Sequence, residues 1–378
     1  DKFIKKCIES VIFQNFQDYE ILLINDCSTD KSAKICEKFQ FENPSKIKYF
    51  KNKKNLGVGL SRNLGLKFSN GKYIIFLDSD DYLIQNSMSS LQEEIKYKNY
   101  PDVILNHIIQ NKEPISNMNI LKIFGKTKLS KNLFLSKLKK KKLLINECWR
   151  IVISNDLVKK NNIIFKDIKI AEDVSFIFKI FILMKNIIIN KHEFLFHRSR
   201  TNSLKYTKGI DSALAYYTVF SELEKYKKKF EHNKTILNFL KLKSKNMITN
   251  MKIYFTLLTK KEIIQLKNEL YRIKDSETNH LENMKLISKI LKDFEKKVIN
   301  FINTKKNGKK IIIYCAGIMT QSVIKILLKN GIKISNIIDD DPIWIGKKLM
   351  NIKIKKISTL NVGSNQNNII MICNLSRK

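Results

Sequence analysis

The chain has 378 residues, 43% of them hydrophobic, and a formal charge of +36 from 71 Lys and Arg against 35 Asp and Glu. That length allows two or three domains, and that hydrophobic share excludes a chain disordered by composition. The charge favours polyanions such as nucleic acid, anionic membranes or phosphorylated substrates, but Lys, Asn and Ile are abundant throughout, so a general bias explains it better than one designed patch.

The six cysteines are scattered with no CxxC pair, which argues against zinc and redox motifs and for buried, reduced thiols in a cytosolic protein. No apolar run reaches membrane-spanning length without a charge; Ile177–Ile189 is interrupted by Lys179 and Lys185. No signal-peptide pattern is read in these residues, and an N-terminal targeting segment ahead of Asp1 stays open. The chain opens inside a helical pattern without an initiator Met and reads as a fragment.

Residues 3–15 place Phe3, Ile4, Cys7, Ile8, Val11 and Ile12 at helical spacing. A strand over Tyr19–Ile24 follows and ends at Asn25-Asp26, ahead of a helix over Lys31–Phe39 capped by Ser28, Thr29 or Asp30. Ile47–Phe50 is a further strand. Asn55-Leu56-Gly57-Val58-Gly59-Leu60-Ser61-Arg62 then turns into a helix with Arg62 in its first turns; the glycine spacing fits neither a dinucleotide fingerprint nor a P-loop. Strands alternating with helices predict a mostly parallel sheet with helices on both faces.

Tyr73–Leu77 reads as a buried strand that ends abruptly in Asp78-Ser79-Asp80-Asp81. In an extended backbone Asp78 and Asp80 point to the same side and repel unless a cation lies between them. Hard oxygen ligands suit Mg²⁺ or Mn²⁺ shared with a substrate's phosphates, and the carboxyl end of a strand in an open α/β sheet is where ligands bind. A solvated acidic turn is the plain alternative.

Three segments in order, Gln-Asp-Tyr-Glu-Ile-Leu-Leu-Ile-Asn-Asp-Cys-Ser-Thr-Asp (17–30), Asn-Leu-Gly-Val-Gly-Leu-Ser-Arg-Asn-Leu-Gly (55–65) and Gly-Lys-Tyr-Ile-Ile-Phe-Leu-Asp-Ser-Asp-Asp (71–81), resemble a family 2 glycosyltransferase of the GT-A fold. The resemblance covers residues 1–110 well and 140–205 more loosely. It implies a nucleotide-diphosphate-sugar donor, most naturally a UDP-sugar, and a divalent ion. Asp26 would correspond to the uracil-contacting aspartate, Asp78 would lie near the ribose and beside the metal, Asp80 would be the metal ligand, and Arg62 would lie close to the donor. Two departures stand out. The family's first strand is missing ahead of Asp1, and Cys27 stands where Gly is usual.

Further on, Asp102–Asn106 is a strand, and 111–142 is Lys-rich loop and helix ending in Lys139–Lys142, which reads either as a site for anionic headgroups or as a solvated face. Glu147–Phe165 resembles the family's acceptor-side segment. Glu172-Asp173 opens a helix, where acids complement the dipole; the resemblance makes Asp173 the catalytic base, with Glu172 beside it. Phe194–Ser203 resembles the closing segment, in which His197 and Arg198 would contact the donor diphosphate, or Arg198 would brace the Asp173 loop.

Residues 206–305 form a basic helical region, membrane-facing, oligomerising or simply a spacer. Residues 306–378 begin a second α/β unit at Lys309–Gly317, with Asp339 at 22 residues beyond Gly317, near the spacing of a ribose-binding acid. Cys315 and Thr320 occupy the outer glycine positions, which favours a structural, Rossmann-like domain over an NAD site.

The expected architecture is therefore a GT-A α/β domain (1–205), the helical region (206–305) and a small Rossmann-like domain (306–378). The expected activity is inverting, metal-dependent glycosyl transfer to a surface-glycan or lipid-linked acceptor, in the cytoplasm or peripherally at the inner face of the membrane. The alternatives are a non-catalytic nucleotide-sugar or polyanion binder and a polyol-phosphate transferase. Nucleic acid is not expected: no known module is present, and the acids at 26, 78–81 and 172–173 would repel a phosphate backbone.

Overall fold

The computed structural model describes residues 1–110, 113–114, 123–124, 128–198, 209–272, 280–305, 310–314, 318–339, 345–356 and 368–372. The chain divides into two compact units. One comprises Asp1–Arg200 with Glu222–Ser244, the other Thr201–Ser221 with Lys245–Lys378.

In the first unit helix α1 (Ile4–Ile12) leads to β1 (Ile21–Asn25), α2 (Ser32–Glu42), β2 (Ile47–Lys51) and α3 (Val58–Phe68). Strands β3 (Tyr73–Ile75) and β4 (Tyr82–Leu83), α4 (Ser87–Tyr97), β5 (Val103–Gln110), β6 (Glu113–Pro114) and β7 (Lys128–Ser130) come next. Helix α5 (Lys131–Lys141), a 3-10 turn at Cys148–Arg150, β8 (Ile151–Ser154), α6 (Asn155–Lys160), α7 (Glu172–Leu183) and β9 (Asn186–His197) follow. The β-α alternation is as the hydrophobic pattern predicts. Lys31 rather than Ser28, Thr29 or Asp30 occupies the N-cap of α2, although the Asp30 carboxylate accepts the Ser32 N–H at 2.9 Å.

β1 and β2 pair in parallel, Ile21 opposite Ile47, as a two-stranded sheet of their own. The larger sheet has seven strands in the order β3-β8-β5-β9-β4, with β6 on β5 and β7 on β9. It is mixed: β5 runs parallel to β9, while β8 runs antiparallel to both β3 and β5. Val103, Ile104 and Leu105 of β5 are wholly buried, as an unbroken apolar run in a covered strand should be. Helix α7 is apolar around most of its circumference and buries Val174, Phe176, Phe178 and Phe181 among others. Lys139–Lys142 lies exposed at the end of α5, whose Phe134, Leu135 and Leu138 face the core.

The strand expected over Tyr73–Leu77 ends at Ile75. Phe76 leaves the sheet, and its ring meets Phe165 and Phe176 edge-on at 5.3 and 5.7 Å. Asp78–Asp81 is not extended: the Asp81 N–H donates to the Asp78 carbonyl at 2.9 Å, closing a turn. The extended backbone on which the same-side argument for Asp78 and Asp80 rested is therefore not formed.

The second unit draws on helices α8 (Ile210–Lys229), α9 (Lys234–Leu257), α10 (Lys260–Arg272) and α11 (His280–Lys305). Strand β10 (Lys310–Tyr314), helix α12 (Ile318–Lys329), β11 (Asn336–Asp339), β12 (Lys348–Leu349), β13 (Ile352–Lys356) and β14 (Asn368–Ile372) complete it. Its five-stranded sheet has the order β12-β13-β11-β10-β14, and β10 is flanked in parallel by β11 and β14. Val298, Ile302, Ile313, Ile324 and Ile337 share its core. Cys315, Gly317, Asp340 and Asp341 lie outside the described residues.

Candidate active site

The site gathers where β1, β2 and β3 end. At the end of β1, Asp26 accepts the Leu56 N–H (2.7 Å) and the Asn52 side-chain amide (2.8 Å) on one oxygen, and the Gly57 N–H (2.8 Å) on the other. Burial pushes its carboxyl up, but these donors outweigh it and hold the pKa below the usual value. The buried Asn52, at the end of β2, also donates to Ser61 Oγ at 3.1 Å. Asp26 thus fixes the start of α3, the helix that carries Arg62.

Arg62 is the centre of the cluster. Its Nη2 donates to Asp78 Oδ1 at 3.0 Å, and its Nη1 to Glu172 Oε1 at 3.0 Å and Asp173 Oδ1 at 2.6 Å. The guanidinium lies over the Phe165 ring, 5.4 Å from its centroid, and Phe165 stacks on Phe176 at 4.0 Å. Asn63 locks Phe165 in place with two main-chain hydrogen bonds of 2.9 and 2.8 Å. Asp173 Oδ2 accepts the Cys148 N–H at 3.3 Å. The Cys148 thiol adds a side-chain hydrogen bond to the same carboxylate.

One cation faces three buried or half-buried carboxylates, so the cluster cannot be fully ionised without strong repulsion. Burial first, then Asp173, push the Glu172 carboxyl up to about 7 despite Arg62. Burial also raises Asp173, opposed by Arg62. Glu172 is the group that holds the proton near neutrality, because Asp173 has the shorter bond to Arg62 and the main-chain donor in addition.

Asp81 is almost wholly buried at 1% exposure. Its Oδ2 lies 2.9 Å from His197 Nδ1, and its Oδ1 accepts the Arg198 N–H at 2.8 Å. His197 stacks on Trp149 at 4.4 Å. Burial lowers the His197 pKa, but the Asp81 hydrogen bond and charge raise it further, so it ends above its ordinary value. Arg198 Nε donates to the Asp80 carbonyl at 3.0 Å, and its guanidinium covers the Phe3 ring at 4.3 Å. Arg198 therefore braces the Asp78–Asp81 turn, not the Asp173 segment.

Of the acids singled out in the sequence, Asp78, Glu172 and Asp173 meet on Arg62, which touches carboxylates on every arm described. Asp26 sits one network away, through Asn52 and Ser61. Asn52, Ser61, the Cys148 N–H and the pairing of Asp81 with His197 escape a reading of the sequence; the only signal was that Asn52, like Asp26, is a polar residue at a strand's carboxyl end. For a divalent ion, the turn offers Asp78, with a third of its side chain exposed, and the buried Asp80. Among the described residues no three His, Cys, Asp or Glu side chains converge as a metal cage. Two hard oxygen donors fit an ion that completes its shell with water and substrate phosphates.

Strand ends that gather acids around a helix N-terminus, facing a second acidic helix, define a GT-A α/β domain. Residues 1–157 match the family described as Glycosyl transferase family 2. Glu172, Asp173 and Arg198 lie beyond the matched stretch. The chain is 37% identical to Glycosyltransferase GlyA of Streptococcus pneumoniae over 95 residues, 25% of this chain and 13% of GlyA. It is 31% identical to the minor teichoic acid biosynthesis protein GgaB of Bacillus subtilis over 179 residues, 46% of this chain and 19% of GgaB. The match thus spans less than a fifth of either relative. The fold also resembles residues 1–349 of S. aureus TarS, solved with UDP-GlcNAc, at a TM-score of 0.57 and 20% identity over 89% of this chain and 90% of that one.

Proposed function

We propose that the chain is an inverting, metal-dependent glycosyltransferase that moves a sugar from a nucleotide-diphosphate donor to a surface-glycan or lipid-linked acceptor at the cytoplasmic face of the membrane. The observation that carries this reading is the Arg62 bridge, which ties the strand-end acid Asp78 to the helix acids Glu172 and Asp173 within one guanidinium. Donor-side and acceptor-side groups therefore belong to one site.

Asp26 and the adjoining Asn52 amide offer polar edges for a base at the end of β1. Asp78 faces the ribose side of the donor. Asp80 with Asp78 would hold Mg²⁺ or Mn²⁺, whose charge offsets that developing on the leaving diphosphate. Asp173 accepts the proton of the acceptor hydroxyl as the new C–O bond forms and the sugar–phosphate bond breaks. Arg62 keeps Asp173 ionised while Glu172 carries the shared proton. Attack from the face opposite the diphosphate inverts the anomeric carbon, by the geometry that governs inverting glycosidases. Among the described residues no helix is long and apolar enough to cross a membrane; the exposed Lys139–Lys142 run is what supports peripheral contact with anionic lipid.

The test is the stereochemistry of the product. Incubated with α-linked UDP-sugars, Mn²⁺ and glycan acceptors, the protein should yield a β-linked product by proton NMR, and chelation should stop the reaction. An α-linked product would contradict the inverting mechanism.

A further inference from the structure

Helix α9 carries a buried cation that no step above uses. Lys243 is fully buried. Its Nζ donates to the Ile145 carbonyl at 2.7 Å and to the side-chain oxygen of Asn146. Ile145 is itself wholly buried, and Leu143–Glu147 has no regular secondary structure of its own to satisfy its carbonyls. Two residues beyond Asn146, Cys148 gives its N–H to Asp173 Oδ2.

Lysine is almost never fully buried unless paired. The carboxylate that acts on this one, Glu147, is 40% exposed and lies 3.8 Å from Arg150. Burial pushes Lys243 down to about 7, with Glu147 pulling it back up. A buried ammonium with so little counter-charge is a poor source of stability, since well-packed apolar groups commonly serve a core as well or better. It is, however, an effective fixture. One nitrogen grips two consecutive residues of an irregular segment from within the core, where water cannot substitute for it. The other end of that segment is the main-chain donor on the base.

We propose that Lys243 is a positioning residue for the transfer reaction: by gripping Ile145 and Asn146 it fixes the Cys148 N–H on Asp173 and so aims the base at the acceptor hydroxyl. This rests on the role of Asp173 proposed above. Lys243 touches no substrate in this account. Its effect travels through four residues of backbone.

The test compares Lys243→Met, Asn146→Ala and the double variant with the unaltered chain, by residue-resolved amide hydrogen exchange and by steady-state kinetics at a temperature where each is folded. Asn146→Ala removes one of the same hydrogen bonds from a half-buried position, so the test survives a Lys243→Met chain that fails to fold. Both single variants should speed exchange of the Cys148 amide and lower kcat about tenfold or more, because small misplacements of a catalytic group have effects of that size. The donor KM should change by less than about twofold, since Lys243 is not on the donor side. The double variant should be no slower than Lys243→Met alone, because both act through one segment. Unchanged exchange at Cys148, or a lower melting temperature with kcat intact, would overturn the proposal. The exchange arm needs no turnover. A chain that proves inactive in every form sinks the transferase reading by itself, whereas a rigid Cys148 amide in Lys243→Met sinks this one.

Discussion

Arg62 supplies one positive charge to three carboxylates, and the consequence is readable in pH. Glu172 moves from an ordinary 4.5 up to about 7 on folding. The folded chain therefore holds a proton that the unfolded chain releases between those values. The stabilisation is fully present below about 4.5, declines as pH rises, and is gone above about 7. Urea unfolding followed from pH 4.5 to 7 should show this decline, and Glu172→Gln should flatten it; an unchanged slope in the variant would place the proton elsewhere. Cys27 is a second residue-scale case. Its φ is 62°, a left-handed conformation that costs a side chain about 1–2 kcal/mol. Cys27→Gly should raise stability by about 0.5–1 kcal/mol once glycine's larger entropy loss is deducted, as denaturant midpoints would record.

At the scale of elements, the start of α3 decides where Arg62 points. Gly57 adopts φ 86° while its N–H binds Asp26, which suits glycine. Gly59 is required for a different reason. A Cβ there would lie 2.9 Å from the Lys166 carbonyl and 3.4 Å from Glu172 Cβ. Gly59→Ala gains helix propensity but forces backbone apart between α3 and the start of α7, and the clash should win. A net loss of about 1–3 kcal/mol is expected, with a matching fall in turnover, from thermal melts and assays side by side. A more stable variant would mean that the contact is soft. Much of this level was legible beforehand: the helix–strand succession through the strand at residue 73 follows the hydrophobic periods, and the acids at 78–81 and 172–173 do fall at element ends, whereas α4 at Ser87–Tyr97 was not read. Other features were hidden, each for a physical reason. The strand 73–77 stops short because Phe76 finds aromatic partners at positions 165 and 176, which no local pattern reveals. The Arg62 bridge joins residues 110 and 111 positions apart, and Lys243 lies nearly 100 beyond the segment that it grips. Periodicity reports which face of an element is buried; it does not report which distant polar group arrives there.

For the whole molecule, a chain of net charge +36 gathers Asp78, Glu172 and Asp173 on Arg62, with Asp80 and Asp81 in the same turn as Asp78, held by His197 and Arg198. An acidic cluster on a basic protein suits a cation carried in with a phosphate-bearing substrate better than a bare polyanion. The measurement that tests this most directly is nucleotide release from a panel of UDP- and GDP-sugars with Mn²⁺ or Mg²⁺ and glycan acceptors, run with the unaltered chain, Asp80→Ala and Asp173→Asn. One donor should support metal-dependent release. Asp173→Asn should lower it about 100- to 10,000-fold while still binding donor, as expected for loss of a general base, and Asp80→Ala should abolish the response to metal. Release by Asp173→Asn at the unaltered rate, or no donor bound by the unaltered chain, would contradict the account.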